Sequence, residues 1–168
     1  GKLKELTHLS LEGFPRVRDL TPLIQLQKLT SLNLGRCDAL SDLKFLAEMP
    51  DLRELELSSA DAIADLRAIA GAKGLRRLTL TTLKNVSDLS PLAQLSSLEV
   101  LRLFQCQQVA VLGPLAELKR LETLFIGQCN RVEDLTPLGR LAGLRRVNFY
   151  MCPNVADISP LRHCTRLE

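Results

Sequence analysis

The sequence predicts an α/β solenoid, a stack of coils each made of a strand, a turn and a short helix, with neighbouring strands side by side in parallel. Three observations predict it. Leucine stands at Leu6, Leu29, Leu52, Leu75, Leu98, Leu121, Leu144 and Leu167, every 23 residues without an insertion or deletion. The residues after each of these leucines alternate apolar and polar with a period of two, as on a strand. Further on, the period changes to three behind a Ser/Thr-Pro pair, as at the start of a short helix.

Aligning the repeats gives the frame L-x-x-L-x-L-x-x-C-x-x-V-x-D-L-S-P-L-x-x-L-x-x, complete in "LETLFIGQCNRVEDLTPLGRLAG". In that repeat Leu124 and Ile126 point to one side of the strand, while Thr123 and Phe125 point to the other. Thr136 is placed to cap the helix start, Pro137 suits the first helical position, and Leu138 and Leu141 lie three apart. One such unit cannot bury its apolar edge alone, so the copies must stack and share one continuous core.

Composition excludes several classes of function. The chain has 168 residues, 46% of them hydrophobic, and a net charge of +3, too small an excess to announce nucleic acid or membrane as a partner. Arginine outnumbers lysine by 15 to 7, which gives a recognition surface rigid donor forks. No apolar run is long enough to span a bilayer. There is no Gly-rich phosphate loop, no G-x-S-x-G and no C-x-x-C or H-x-x-x-H spacing, and the two histidines, His8 and His163, stand at opposite ends of the stack. Neither a catalytic residue, a metal site nor a cofactor is expected.

The recurring L-x-x-L-x-L-x-x-(N/C) signature resembles the leucine-rich repeat family over essentially the whole chain. The variant with cysteine followed by V-x-D-L-S-P-L is similar to trypanosomatid proteins described as adenylate-cyclase regulators and to repeat domains attached to bacterial NACHT or TIR modules. Internalins share the D-L-(S/T)-P-L half. The resemblance implies a curved solenoid, with a parallel β-sheet on the concave face, where protein partners usually dock, and short helices or 3-10 turns on the convex face. The chain departs from the family at the ninth position, which reads Phe14, Cys37, Ala60, Leu83, Cys106, Cys129 and Cys152 and never asparagine. The side-chain hydrogen-bond ladder that asparagine supplies is therefore expected to be weak or missing.

Four of the five cysteines occupy that ninth position, where the chain leaves the strand and turns inward; Cys164 takes an apolar helix position. A buried thiol acts as a small hydrophobe with a weak donor and is usually inert. The odd count and the buried column point to reduced thiols and to a cytoplasmic or otherwise reducing compartment. The aspartates Asp19, Asp42, Asp65, Asp88, Asp134 and Asp157 recur once per repeat immediately before a leucine and a helix start, the placement of turn caps rather than of a calcium ladder.

Function is then expected where the frame is free to vary, at the outward third, fifth and seventh positions of the strands. Repeats five to seven place Val100, Arg102 and Phe104 beside Thr123, Phe125 and Gly127 and beside Arg146, Asn148 and Tyr150. Three of the six aromatic residues of the chain thus fall on outward strand positions next to arginines, the composition of interface anchors. Gly127 between Phe104 and Tyr150 predicts an open notch for a partner's side chain. Glu54, Glu56 and Arg77 make a polar flank, with Arg76 and Arg77 expected to face the two glutamates. The function predicted is a non-catalytic module that binds a protein partner or senses a ligand through this patch. The alternative is nucleic-acid binding through Arg76, Arg77, Arg102, Arg145 and Arg146, with bases stacked on Phe104, Phe125 and Tyr150.

The organisation expected is one solenoid over residues 1–168: the tail of a preceding repeat at 1–5, seven repeats over 6–166, and the opening of an eighth at 167–168. Terminal repeats usually carry polar caps, so the chain is expected to be a segment of a larger protein. The sequence leaves oligomeric state open.

Overall fold

The computed structural model describes residues 2–168, with side chains placed from residue 3 onward. Seven strands follow one another in a single parallel sheet in chain order: β1 (His8–Ser10), β2 (Ser31–Gly35), β3 (Glu54–Ser58), β4 (Arg77–Thr81), β5 (Val100–Phe104), β6 (Thr123–Gly127) and β7 (Arg146–Tyr150). Every residue pairs with the one 23 positions later, as in Leu101 with Leu124 and Leu124 with Val147. Each return path carries one five-residue 3-10 turn, such as Ser90–Gln94 or Thr136–Arg140.

The return path is 3-10 rather than α-helical for a reason visible in its side chains. Apolar residues recur every three positions through Leu20, Leu23, Leu26 and Leu29, and their N–H groups donate in succession to the carbonyl three residues back, each at 2.9 Å. Three residues per turn keep such a row on one edge, whereas 3.6 per turn would rotate it away. In the fifth coil the inward set Leu98, Leu101, Leu103, Cys106, Val109, Leu112, Leu115 and Leu118 is at most 1% exposed.

The aspartate column closes the turn as expected. The Oδ1 atoms of Asp19, Asp42, Asp65, Asp88, Asp134 and Asp157 accept the backbone N–H two residues on, at 2.7–2.8 Å. The cap is thus the aspartate and not Thr136, which is the first residue of its 3-10 turn and receives the aspartate's hydrogen bond through its N–H. Hydrogen bonds from the residue two positions on hold Asp19, Asp65, Asp88, Asp134 and Asp157 below their ordinary pKa. For Asp19, Asp88 and Asp134 the leading cause is the hydroxyl of Thr21, Ser90 and Thr136; for Asp65 and Asp157 it is the backbone N–H of Arg67 and Ser159.

The eighth residue of every repeat has a left-handed backbone: Gly13 at φ 82°, then Arg36, Ser59, Thr82, Gln105, Gln128 and Met151 between 50° and 56°. Each costs about 1–2 kcal/mol for a residue with a Cβ, yet the conformation recurs because the N–H of the first six still reaches the next coil, as Gln105 reaches the Gly127 carbonyl at 2.8 Å. In the second to sixth repeats the twist then swings the ninth side chain into the core, whereas Phe14 in the first stays 50% exposed. Four of these residues also join across coils: Thr82 Oγ1 donates to Gln105 Oε1 at 3.0 Å, Gln105 Nε2 to Gln128 Oε1 at 2.6 Å, and Gln128 Nε2 to the Met151 sulfur at 3.5 Å.

Gly71 in the third repeat is a close-packing device. A Cβ on Gly71 would sit 2.6 Å from that of Ala47 in the preceding coil, so glycine allows the two turns to touch.

Val111 occupies the aspartate column in the fifth repeat and is 66% exposed. Val111→Asp should restore the missing cap to the Gly113 N–H and raise the urea midpoint at unchanged slope, by about 0.5–1 kcal/mol. A carboxyl held below its unfolded pKa contributes fully above that unfolded value, about 3.9, and loses the contribution as pH falls through the folded one. The gain should therefore be present at neutral pH and vanish in acid. A midpoint that is unchanged or lowered at pH 7 would count against the capping role.

Candidate functional site

The concave sheet carries the variable positions in a grid of three per strand. On β5 and β6 the rings of Phe104 and Phe125 lie with centroids 6.1 Å apart and planes tilted by 35°. Gly127 is buried beneath them: a Cβ there would stand 2.7 Å from Phe104 Cδ2 and 2.8 Å from Phe125 Cε1. The open notch expected at Gly127 is therefore absent. The missing side chain is used internally, letting two half-buried rings settle onto the strand. Tyr150 follows in the same row, paired in register with Gly127, and stays 49% exposed. Met151, just past the strand end, is 60% exposed and lines a separate concavity with Gln107, Gln128, Asn130 and Pro153.

Beside the shelf, Arg102, Thr123, Phe125, Arg146 and Asn148 line a concavity of about 520 Å³. It joins a second, of about 500 Å³, that runs toward Asn33, Glu54, Glu56 and Arg77 and is bordered by Val100. Val100 is half-buried, and Arg102, Arg146 and Asn148 are exposed. The structure thus brings the sequence-predicted residues of repeats five to seven onto one continuous face.

The polar flank is partly self-satisfied. Arg77 is ion-paired with Glu54 across β3 and β4, and Asn33 Nδ2 donates to Glu56 Oε2 at 3.4 Å. Arg76 does not face the glutamates of β3. It precedes its strand and pairs with Glu99 at 3.3 Å. Arg145 is likewise held by Glu168. Of the concave arginines, Arg102 and Arg146 alone have no carboxylate partner among the described residues.

The cysteine column lies behind this face. All five thiols are free, and all but Cys152 are buried. In place of an asparagine ladder, the ninth-position thiols reach the sixth-position carbonyl of the preceding coil: Cys37 to Leu11 at 3.2 Å, Cys106 to Leu80 at 3.5 Å, Cys129 to Leu103 at 4.0 Å and Cys152 to Ile126 at 3.4 Å. Burial pushes the thiols of Cys37, Cys106 and Cys164 up, and that of Cys129 up to about 12. A thiol so placed is a poor nucleophile. Among the described residues no cluster of His, Cys, Asp or Glu is placed to hold a metal ion, and no helix is long and apolar enough to cross a membrane.

No family model and no curated protein matches the chain. Solved structures do. An internalin from Listeria monocytogenes superimposes with a TM-score of 0.80 at 32% identity over 98% of this chain, and internalin C2 of the same species with 0.70 at 27% over 98%. The leucine-rich repeat domain of a type III effector matches in fold, with a TM-score of 0.69 at 19% identity over 88%. The chain spans 47% of the first internalin, 80% of internalin C2 and 53% of the effector domain. With seven in-phase copies of the signature in one parallel sheet, the chain belongs to the leucine-rich repeat family.

The thiols separate by exposure. With a thiol reagent at pH 8, Cys152 should label first, while Cys37, Cys106, Cys129 and Cys164 stay protected until the chain is unfolded. Rapid native labelling of Cys106 or Cys129 would show that the column is not core filler.

Proposed function

We propose that this chain is a protein-interaction module that holds its partner against the concave face of β5–β7. The observation that carries the reading is the shelf of Phe104, Phe125 and Tyr150 on strand positions that solvation would otherwise fill with polar side chains. Rigid aromatic surface beside arginine is the composition from which binding anchors are drawn. The half-buried rings of Phe104 and Phe125 present a fixed surface, so little side-chain freedom is lost when a partner covers it. Similarity to other leucine-rich repeat proteins supports interaction rather than catalysis as the use of such a face.

Nucleic-acid binding draws less support. Three of the five arginines it would need, Arg76, Arg77 and Arg145, are engaged by Glu99, Glu54 and Glu168. Glu12 and Glu56 stand on the same concave face and would repel a polyanion. A reducing compartment is the setting we propose, because all five cysteines are free thiols.

Peptide binders selected from a display library against the whole face provide the test. Tyr150→Ala and Phe104→Ala should each weaken them by about 1–3 kcal/mol. Tyr150→Ala should leave the unfolding midpoint unchanged, and circular dichroism should confirm that Phe104→Ala remains folded. Binding that survives both substitutions intact would contradict the reading.

A further inference from the structure

Four side chains at the C-terminal end of the groove point donors into the same concavity, and none has a hydrogen-bond or ion-pair partner among the described residues: Arg102, Thr123, Arg146 and Asn148. Elsewhere on the molecule arginines at coil-to-coil spacing find carboxylates, as Arg77 finds Glu54 and Arg145 finds Glu168. Arg102 and Arg146 do not, because the coil between them offers Thr123 and Phe125 in the register where an acid would have to stand. Two strands and two residues apart, their Cα atoms are separated by about 12 Å. Thr123 lies between them, and the edge of Phe125 walls one side.

We propose that these four residues form a seat for a single acidic side chain, Asp or Glu, of the docked protein partner. The inference rests on the concave face being the docking surface and adds the chemistry of what docks there. A carboxylate has two oxygens with about four acceptor sites, and two guanidinium forks, one hydroxyl and one amide can fill them from opposite sides. The Phe125 ring excludes water from one flank, which strengthens the charge-assisted bonds. The pattern selects an isolated acid beside an apolar anchor rather than a chain of phosphates, since the groove carries the unneutralised carboxylate of Glu56 two strands from Arg102. The partner's orientation follows: its acid lies over β6 and its apolar anchor over the neighbouring shelf.

The test uses the full chain as bait for a randomised peptide library. Enriched peptides should carry Asp or Glu next to an aromatic or aliphatic residue. Arg102→Glu and Arg146→Glu should each cut their affinity by at least about tenfold, whereas Arg120→Glu on the outer surface should not, and all three variants should melt like the wild type. Replacing the peptide's acid by its amide should weaken binding to the wild type but add nothing further to Arg102→Glu, the non-additivity expected of groups in contact. Peptides that need Phe104 and Tyr150 but tolerate both charge reversals would overturn the seat and leave the docking face standing. Peptides indifferent to all four positions, or no enrichment at all, would overturn both. Tighter binding of a single-stranded oligothymidine than of any peptide, lost in Arg102→Glu, would assign the arginines to nucleic acid and overturn the seat.

Discussion

No coil of this chain can bury its own apolar edge. The inward side chains of a repeat, such as Leu101, Leu103 and Cys106, meet their equivalents only in the coils before and after, so the hydrophobic gain exists between repeats and hardly within them. This makes the unbroken spacing of 23 residues the governing constraint, because one inserted residue would move a whole strand out of register and turn its core side chains outward. The ion pairs that join neighbouring coils obey the same spacing, with Lys28 beside Glu5 at 2.6 Å and Lys84 beside Asp61 at 2.7 Å. Being exposed, they contribute little to stability, but they follow the register that the core imposes.

Within a coil, the path is set by small, repeated devices. The left-handed eighth residue ends the strand, the ninth side chain drops into the core, the aspartate turns the chain, and a row of apolar residues three apart selects a 3-10 return. The thiol suits the ninth position because it fills the volume of a small hydrophobe and still offers a weak hydrogen bond to a carbonyl of the coil before. Gly71 serves another need, letting two turns approach within the radius of a methyl group.

Much of this could be read from the residues alone, because each repeat constrains the others. Strand positions, parallel order, the aspartate caps and the inert thiols all follow from columns that recur at the 23-residue spacing. The eighth-position backbone did not, since only Gly13 advertises it and Arg36, Thr82 and Gln105 are ordinary residues that their neighbours' carbonyls hold there. The role of Gly127 was also hidden. A missing side chain reads as a gap in one dimension, but the rings of Phe104 and Phe125 come from two strands to cover it. The partner of Arg76 is equally hidden: the residue lies just before β4, where its side chain reaches Glu99 instead of the outward row of β3.

The same grid that builds the core also arranges the function proposed for it. Fixed register places three freely chosen side chains per coil on one face, and the last three coils use them for aromatic surface and two uncommitted arginines. Tyr150 stands at the centre of that account and is the chain's one tyrosine, with no tryptophan present, so intrinsic fluorescence reports on it alone. Quenching of that fluorescence by acrylamide, measured with and without a saturating binder free of tyrosine and tryptophan, tests the docking claim directly. The account predicts that the exposed ring becomes protected when the binder is bound; an unchanged quenching constant at saturation would place the partner somewhere other than the concave face of β5–β7.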